Sequence, residues 1–203
     1  HLGIEILALP RFELDTVMRL IHTRRPTLFP AVPTIYNAIA NHPQRQRYDL
    51  SSIRICISGG APLPIEVKQQ FESATGCTVV EGYGLTEASP ITHCNPVEGR
   101  NKTGSIGLPL PGTSARIVSL EDGESLCATG ERGELVISGP QVMQGYLDHP
   151  EETAQVLRGG RLHTGDVGFM DEDGYVHIVD RIKDLIITSG YNVYPRNVEE
   201  AIY

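Results

Sequence analysis

The chain has 203 residues, with 17 Lys and Arg against 25 Asp and Glu, a formal net charge of −8 at pH 7 and a hydrophobic fraction of 40%. That hydrophobic fraction is too high for a disordered chain, and an acidic chain without a Lys/Arg run is a poor non-specific ligand for nucleic acids. The longest apolar run, Ile6–Leu9, is far shorter than the roughly 20 residues that span a bilayer. We therefore expect no nucleic-acid partner and no integral membrane segment.

In the first half of the chain, apolar runs alternate with amphipathic patterns. The pattern predicts extended segments, listed in chain order: Ile4–Leu9, Thr27–Val32, Ile53–Ile57 and Thr78–Val80. It predicts helices over Leu14–Ile21, Pro33–Asn41 and Pro64–Thr75, with Gly76 as a C-terminal cap of the last. This alternation favours an α/β sheet over residues 1–104.

Near Gly104 glycine and proline become dense and short strands follow one another. The predicted strands are Ala115–Ser119, Glu134–Ser138, Asp166–Met170 and Tyr175–Asp180, with one helix at Pro150–Leu157. Asp171-Glu172-Asp173-Gly174 is typical of a hairpin turn. We predict a mostly β subdomain over residues 105–180. A last segment, residues 181–203, would hold a strand at Leu185–Thr188, a turn at Gly190 and a helix that begins at Pro195.

Several common motifs are absent or incomplete. Gly82-Tyr83-Gly84-Leu85-Thr86-Glu87 has Glu87 where a dinucleotide fingerprint needs its third glycine. The sequence has no Walker-type phosphate loop and no nucleophile elbow. His93-Cys94 lacks a matching ligand pair for zinc, and Asp171-x-Asp173-Gly174 lacks the later ligands of a calcium loop.

The cysteines and the chain ends bear on compartment and completeness. Cys56, Cys77, Cys94 and Cys127 are widely spaced, which is typical of reduced thiols in a cytoplasmic protein. The chain begins at His1 and stops at Tyr203 inside a predicted helix. We interpret it as a fragment.

Two glycine-rich segments, Ser58–Pro64 and Glu81–Glu87, come after predicted strands, where ligands bind in open α/β sheets. Tyr83 offers a ring for stacking. Thr86 and Glu87 offer the hard oxygen ligands that Mg²⁺ prefers alongside phosphate.

Two later segments add polar groups to the same hypothesis. Asp166, in His163-Thr164-Gly165-Asp166, could accept two hydrogen bonds from a ribose diol, and Arg181 supplies a planar cationic donor. Taken singly, each residue has an ordinary alternative: the glycines as turns, Glu87 as a surface charge, Asp166 as a cap and Arg181 as half of a surface ion pair. The occurrence of all of them in one chain favours a nucleotide site.

The ordered motifs resemble the adenylate-forming superfamily of acyl-CoA synthetases, luciferases and peptide-synthetase adenylation domains, and most of all the bacterial medium- and long-chain fatty acyl-CoA ligases. The motifs are Tyr83-Gly84-Leu85-Thr86-Glu87, Gly133-Glu134-Leu135 with Gly145-Tyr146, His163-Thr164-Gly165-Asp166, and Asp180-Arg181-x-Lys183-Asp184 with Ser189-Gly190-Tyr191-Asn192. The resemblance implies part of a large layered α/β domain, then a small distorted β-barrel, then the start of a mobile α+β C-terminal lid. The Gly133–Tyr146 segment would be structural.

The resemblance implies ATP- and Mg²⁺-dependent conversion of a carboxylic acid, expected to be a fatty acid, to acyl-AMP, and then transfer to coenzyme A. The implied adenine pocket consists of Gly60, Ala61, Pro62, Glu81, Gly82 and Tyr83, and Gly82 and Gly84 would border the acyl tunnel. The implied catalytic pair is Thr86 at the phosphate and Glu87 on Mg²⁺. The remaining implied roles are ribose binding by Asp166 and Arg181, a hinge at Lys183, and coenzyme A contacts by Ser189 and Gly190.

Two functional parts of this superfamily, a phosphate-binding loop and a C-terminal lysine, would lie before His1 and after Tyr203, so we predict that the fragment alone does not adenylate. Ile187 stands where some relatives, such as plant coumarate ligases, carry lysine, which fits the fatty-acid group. Two alternatives remain: an acyl-AMP ligase that delivers to a carrier protein, and a non-catalytic nucleotide-binding protein of the same fold. A fatty substrate leaves transient membrane contact open, although no amphipathic basic helix supports anchoring.

Overall fold

The computed structural model describes residues 3–188 and 191–195. Contacts divide the chain into two units, His1–Val79 and Val80–Tyr203, called the first and second unit below. The subdomain limits predicted from sequence, at residues 104 and 180, stay predictions. Within the described residues, no helix is long and apolar enough to cross a membrane.

The first unit is built from helices beside parallel strands. Its helices are α1 (Leu14–Arg24), α2 (Pro33–Ala40) and α3 (Ile65–Thr75), and its strands are β1 (Leu28–Ala31), β2 (Ile55–Ser58) and the start of β3 (Thr78–Gly84). β1 pairs with β2 in parallel, with Leu28 opposite Ile55. The predicted α/β class is confirmed.

Tyr36 on α2 fixes the helix against both parallel strands. Its hydroxyl donates to the carbonyl oxygens of Phe29 (2.9 Å) and Ile57 (3.1 Å). Its ring meets Phe71 of α3 edge to face, with centroids 4.8 Å apart. Burial raises the pKa of this phenol far above its usual value, so it stays a neutral donor inside the core.

The ends of these helices follow local chemistry. Pro33 occupies the first turn of α2, where its missing N–H costs nothing. Gly76 ends α3 in the left-handed conformation, with φ +73°. The predicted strand at Ile4–Leu9 is wrong, because this run has no strand conformation and Ile4 and Ile6 are exposed. A short apolar run becomes a strand only where a neighbouring strand pairs with it.

The second unit is mostly antiparallel. β3 pairs with β4 (Ile91–Cys94), which pairs with β5 (Leu108–Pro109). A second sheet has the order β10-β9-β7-β6, with β8 also paired to β9. Its strands are β6 (Ser114–Val118), β7 (Gly133–Ser138), β8 (Leu157–Arg158), β9 (Arg161–Met170) and β10 (Val176–Arg181). The core under it consists mainly of Ile117, Leu135, Ile137, Leu162 and Val176.

The remaining elements of the second unit are short. Helix α4 covers Pro150–Val156, close to its prediction, and β11 (Ile186–Thr188) pairs with β12 (Tyr191–Val193). Three-residue 3₁₀ turns occur at Thr86–Ala88 and Ile182–Asp184, and a further one at Arg45–Arg47 in the first unit. The predicted turn at Gly190 and the helix beyond Pro195 lie outside the described residues or at their edge.

Two strands are longer than predicted, and this changes where the candidate residues lie. β3 runs to Gly84, so Glu81–Gly84 is part of the strand rather than a loop after it. β9 begins at Arg161, so His163 and Asp166 lie within the strand rather than at its start. Sheet pairing extended both strands through glycines that, in a sequence alone, indicate a break.

Candidate functional site

Asp166 is the centre of the candidate site in the second unit. The Tyr83 hydroxyl donates to Oδ2 of Asp166, and Nε of Arg181 donates to Oδ1 at 2.8 Å. The Asp166 side chain is 6% exposed and the Arg181 side chain 53% exposed. A buried carboxylate with one cation and one neutral donor is satisfied inside the protein, and its oxygens have lone pairs left for a ligand.

The pairing of strands positions these three residues. Asp166 on β9 lies opposite Arg181 on β10. Tyr83 is on β3, and its backbone pairs with His93 of β4. Burial, and then the Asp166 carboxylate, raise the pKa of Tyr83 far above its usual value, so the phenol stays protonated. The hydrogen bond to Asp166 raises the pKa of Arg181, which keeps its charge.

Thr86 and Glu87 follow β3 in a 3₁₀ turn. The Glu87 carbonyl accepts a hydrogen bond from the Met143 N–H at 2.7 Å, and its Oε1 accepts one from the Tyr146 hydroxyl at 2.7 Å. This hydrogen bond, followed by burial, raises the pKa of Tyr146 to about 12. Sequence reasoning treated Gly145-Tyr146 as structural and missed this contact. Tyr146 belongs to the Gly145-Tyr146 motif, but its contact with Glu87 forms only in the folded chain.

The donor set at Glu87 fits a magnesium ion that is held mainly by substrate. Mg²⁺ usually takes one or two carboxylates together with phosphate oxygens and water. The described residues contain no group of three His, Cys, Asp or Glu side chains that could hold a metal by themselves. Glu87 keeps a second carboxylate oxygen besides the one that Tyr146 contacts. The residues present therefore suit a nucleotide-bound ion rather than a protein-only metal centre.

Gly84 and Glu81 have structural tasks in addition to their predicted ones. A Cβ on Gly84 would lie 1.8 Å from the Pro90 carbonyl oxygen, so only glycine fits this backbone approach. The buried Glu81 accepts a hydrogen bond from Gly104 N–H through Oε1 at 3.0 Å. Its backbone carbonyl accepts one from Asn95 N–H at 2.8 Å. The roles of Glu81 at adenine and of Gly82 and Gly84 at the acyl tunnel stay predictions.

The remaining predicted residues belong to the first unit, to the turn after β10, or to the part of the chain outside the described residues. Gly60-Ala61-Pro62 follows β2 in the first unit, and Gly60 has φ +79°. Lys183 is exposed in the turn after β10. Ser189 and Gly190 lie outside the described residues.

His93 is a buried residue beside Tyr83 that sequence reasoning weighed only as a zinc ligand. The two rings meet edge to face with centroids 6.0 Å apart. His93 Nδ1 is 2.9 Å from Thr92 Oγ1, and Nε2 has no hydrogen-bond partner among the described residues. Burial lowers the pKa of His93 to about 4, so the ring is neutral and supports Tyr83 through packing.

Comparison with known proteins identifies the family. The family model described as AMP-binding enzyme matches residues 1–147. The chain belongs to the AMP-binding enzyme family. The Tyr83–Glu87 run of β3 and the 3₁₀ turn lies within the matched residues.

Curated members of this family resemble the chain closely but are much longer. A long-chain-fatty-acid–CoA ligase of Bacillus subtilis (strain 168) is 57% identical over 202 residues, which is 100% of this chain and 36% of the relative. A feruloyl-CoA synthase of an Amycolatopsis species is 44% identical over 193 residues, 95% of this chain and 39% of the relative. The chain thus spans about a third of the length of the curated relatives it matches.

Solved structures confirm the fold. ATP-bound MatB from Rhodopseudomonas palustris has a TM-score of 0.86 at 38% identity, covering 96% of this chain and 38% of that one. The amide bond synthetase McbA from Marinactinospora thermotolerans has a TM-score of 0.85 at 36% identity, covering 94% of this chain and 38% of that one. Both agree with the resemblance to adenylate-forming enzymes.

Proposed function

We propose that the full-length protein containing this chain activates a fatty acid with ATP to acyl-AMP and transfers the acyl group to coenzyme A. The observation that carries the proposal is the buried Asp166 carboxylate, held between the Tyr83 hydroxyl and Arg181 in a chain of the AMP-binding family. The names of the curated relatives, which include long-chain-fatty-acid–CoA ligases, support the substrate class. The proposed compartment is the cytoplasm.

The proposed reaction has two displacements. In the first, a carboxylate oxygen bonds to the α-phosphorus and pyrophosphate leaves with the electron pair of the broken P–O bond. In the second, the coenzyme A thiolate bonds to the acyl carbon and AMP leaves. Both steps need reactants held in line and negative charge neutralised, which positioned polar groups can provide.

The residues of the second unit would divide this work. Asp166 would accept hydrogen bonds from the ribose hydroxyls, and Arg181 would orient that carboxylate through its hydrogen bond to Oδ1. Thr86 would contact the phosphates, and Glu87 would hold magnesium, which when bound neutralises the phosphate oxygens. Tyr83 would border the adenine, and Lys183 would act as the hinge.

The other roles concern residues of the first unit and of the C-terminal segment. Gly60, Ala61 and Pro62 would line the adenine pocket. Ser189 and Gly190 would approach the pantetheine arm of coenzyme A. We further propose that the 203-residue chain alone does not adenylate. Measurable ATP–pyrophosphate exchange by this chain alone would refute that part.

A test of the ribose role is Asp166→Ala in the full-length protein. Each hydrogen bond lost to a charged group costs about 1.5–3 kcal/mol, so ATP affinity should fall about tenfold or more. Asp15→Ala is a matched control, because Asp15 is 78% exposed on α1. Unchanged nucleotide affinity in Asp166→Ala would remove Asp166 from the site.

The acceptor is tested separately. A likeness to McbA, whose description is amide bond synthetase, indicates that this fold also serves an acceptor other than coenzyme A. Thioester formation with free coenzyme A supports the ligase proposal. Acyl transfer only to a carrier protein would support the alternative, and nucleotide binding without turnover would support a non-catalytic protein.

A further inference from the structure

Glu134 on β7 is a buried carboxylate behind the strand segment that presents Asp166. Its side chain is 7% exposed. Oε1 accepts a hydrogen bond from the Gly165 N–H at 3.0 Å, and Oε2 lies 2.8 Å from His163 Nδ1. Arg158 Nη2 is 3.5 Å from the same Oε2. One carboxylate thus holds two of the three residues that precede Asp166.

The strand pairing explains why this segment needs a side chain to hold it. Glu134 lies opposite Val167, whereas Val136 lies opposite His163, so the register of β7 and β9 shifts between the two pairs. A step of two residues on β7 therefore spans a step of four on β9. The surplus residues bulge, and a bulge leaves backbone groups unpaired and re-aims side chains.

Glu134 and Thr164 close this bulge. Gly165 has φ +72°, a left-handed conformation that glycine adopts without strain, and its N–H donates to the Glu134 side chain. Thr164 Oγ1 donates to the Leu135 carbonyl at 2.7 Å and accepts from the Asp166 N–H at 3.1 Å. The backbone of Asp166 is therefore fixed one residue after the point that Glu134 anchors.

We propose that Glu134 is a positioning residue that holds the β9 bulge so that the Asp166 carboxylate is aimed at the ribose of the nucleotide. The inference rests on the proposed function, in which Asp166 binds the ribose hydroxyls. Glu134 acts through Gly165 and His163 and does not itself touch the substrate. The Arg158 guanidinium 3.5 Å away and the hydrogen bond from the Gly165 N–H compensate its burial, which lets a carboxylate occupy this place.

A merely structural Glu134 would affect all substrates alike, whereas a positioning residue affects the ribose contact selectively. The readout is therefore the ratio of kcat/KM for ATP to kcat/KM for 2′,3′-dideoxy-ATP, measured by pyrophosphate exchange in the full-length protein. Loss of one hydrogen bond to a charged group corresponds to about a tenfold decrease in kcat/KM. In Glu134→Ala we expect kcat/KM for ATP to fall about tenfold, with little change for the dideoxy nucleotide and an unchanged KM for the acid.

Two further variants keep the test decisive if Glu134→Ala does not fold. Glu134→Asp keeps the charge but is one methylene shorter, so it cannot reach Gly165 N–H and His163 together, and the same selective loss is expected. Glu134→Gln keeps an acceptor for the Gly165 N–H, so its ratio of kcat/KM for the two nucleotides should lie closer to the wild-type value than that of Glu134→Ala. The matched control is Glu152→Gln, which removes an exposed carboxylate that also lies 2.8 Å from a histidine Nδ1.

Asp166→Ala separates the two hypotheses. If Asp166→Ala leaves the nucleotide ratio at the wild-type value, the proposed ribose role fails. Suppose instead that Asp166→Ala lowers the ratio of the two kcat/KM values towards one. If the folded Glu134→Ala or Glu134→Asp variant then keeps the wild-type ratio, because its activity is unchanged or falls equally with both nucleotides, the positioning role alone is overturned. In the Glu134→Ala, Asp166→Ala double variant, the Glu134 change should add nothing to the loss.

Discussion

Acidification should destabilise this protein through His93, which is completely buried against Tyr83 and whose Nε2 has no hydrogen-bond partner in the part of the chain that the structure describes. Burial lowers its pKa from 6.5 to about 4. Between these two pKa values the unfolded chain binds a proton on His93 and the folded chain does not. The contribution of the neutral ring to the free energy of unfolding is therefore complete above the unfolded pKa and is lost as the pH falls towards 4. From about pH 7.5 to about pH 4.5 the loss amounts to about 2.5 kcal/mol for this one group.

The assay is denaturant unfolding of the full-length protein and of His93→Leu at both pH values. Carboxylates titrate in both proteins, so the difference between their pH dependences isolates His93. His93→Leu should lose about 2.5 kcal/mol less on acidification than the wild type. The exposed His149 provides a comparison, since His149→Leu shows the general effect of replacing a histidine by leucine. Equal losses in His93→Leu and the wild type, or an imidazole NMR titration near its usual midpoint, would refute the reasoning.

Three further predictions concern the candidate site and the glycine that packs against β4. Tyr83→Phe removes a donor from the buried Asp166 carboxylate, so kcat/KM for ATP should fall about tenfold in pyrophosphate exchange; an unchanged value would contradict this. Tyr146→Phe removes the hydrogen bond to Oε1 of Glu87. Because loss of a group that orients a metal ligand weakens metal binding, the magnesium concentration for half-maximal activity should rise about tenfold. Gly107→Ala should lower the free energy of unfolding by at least about 2 kcal/mol, because a Cβ would lie 2.1 Å from the β4 backbone at φ +90°; a wild-type denaturation midpoint would count against it.

Sequence reasoning worked where a signal is local. The helices at Pro33 and Gly76 follow from proline and glycine chemistry at helix ends, and the structure has them at the predicted places. It failed for Ile4–Leu9, where apolar character was present but no strand forms. The predicted end of β3 was also too early, because Gly82 and Gly84 usually indicate the end of a strand. In the structure Gly84 instead allows a close approach of the neighbouring backbone that leaves no room for a side chain.

The candidate site divides along the same line. The residue types proposed for a nucleotide site were readable, because Tyr83, Glu87, Asp166 and Arg181 stand in ordered motifs. Their contacts were not readable. Neither the Tyr146–Glu87 hydrogen bond nor the proposed role of Glu134 beside Asp166 follows from spacing.

The sequence alone determined the alternation of helix and strand in the first half, the β-rich second half and the resemblance to adenylate-forming enzymes, since periodicity, turn residues and motifs are local properties of a chain. The tertiary structure decided that Tyr83 meets Asp166 across 83 residues of sequence, and that a register shift between β7 and β9 aims that carboxylate. The physical reason is that register and burial are set by the pairing of distant strands, and a one-dimensional pattern does not specify which strands pair or where they slip.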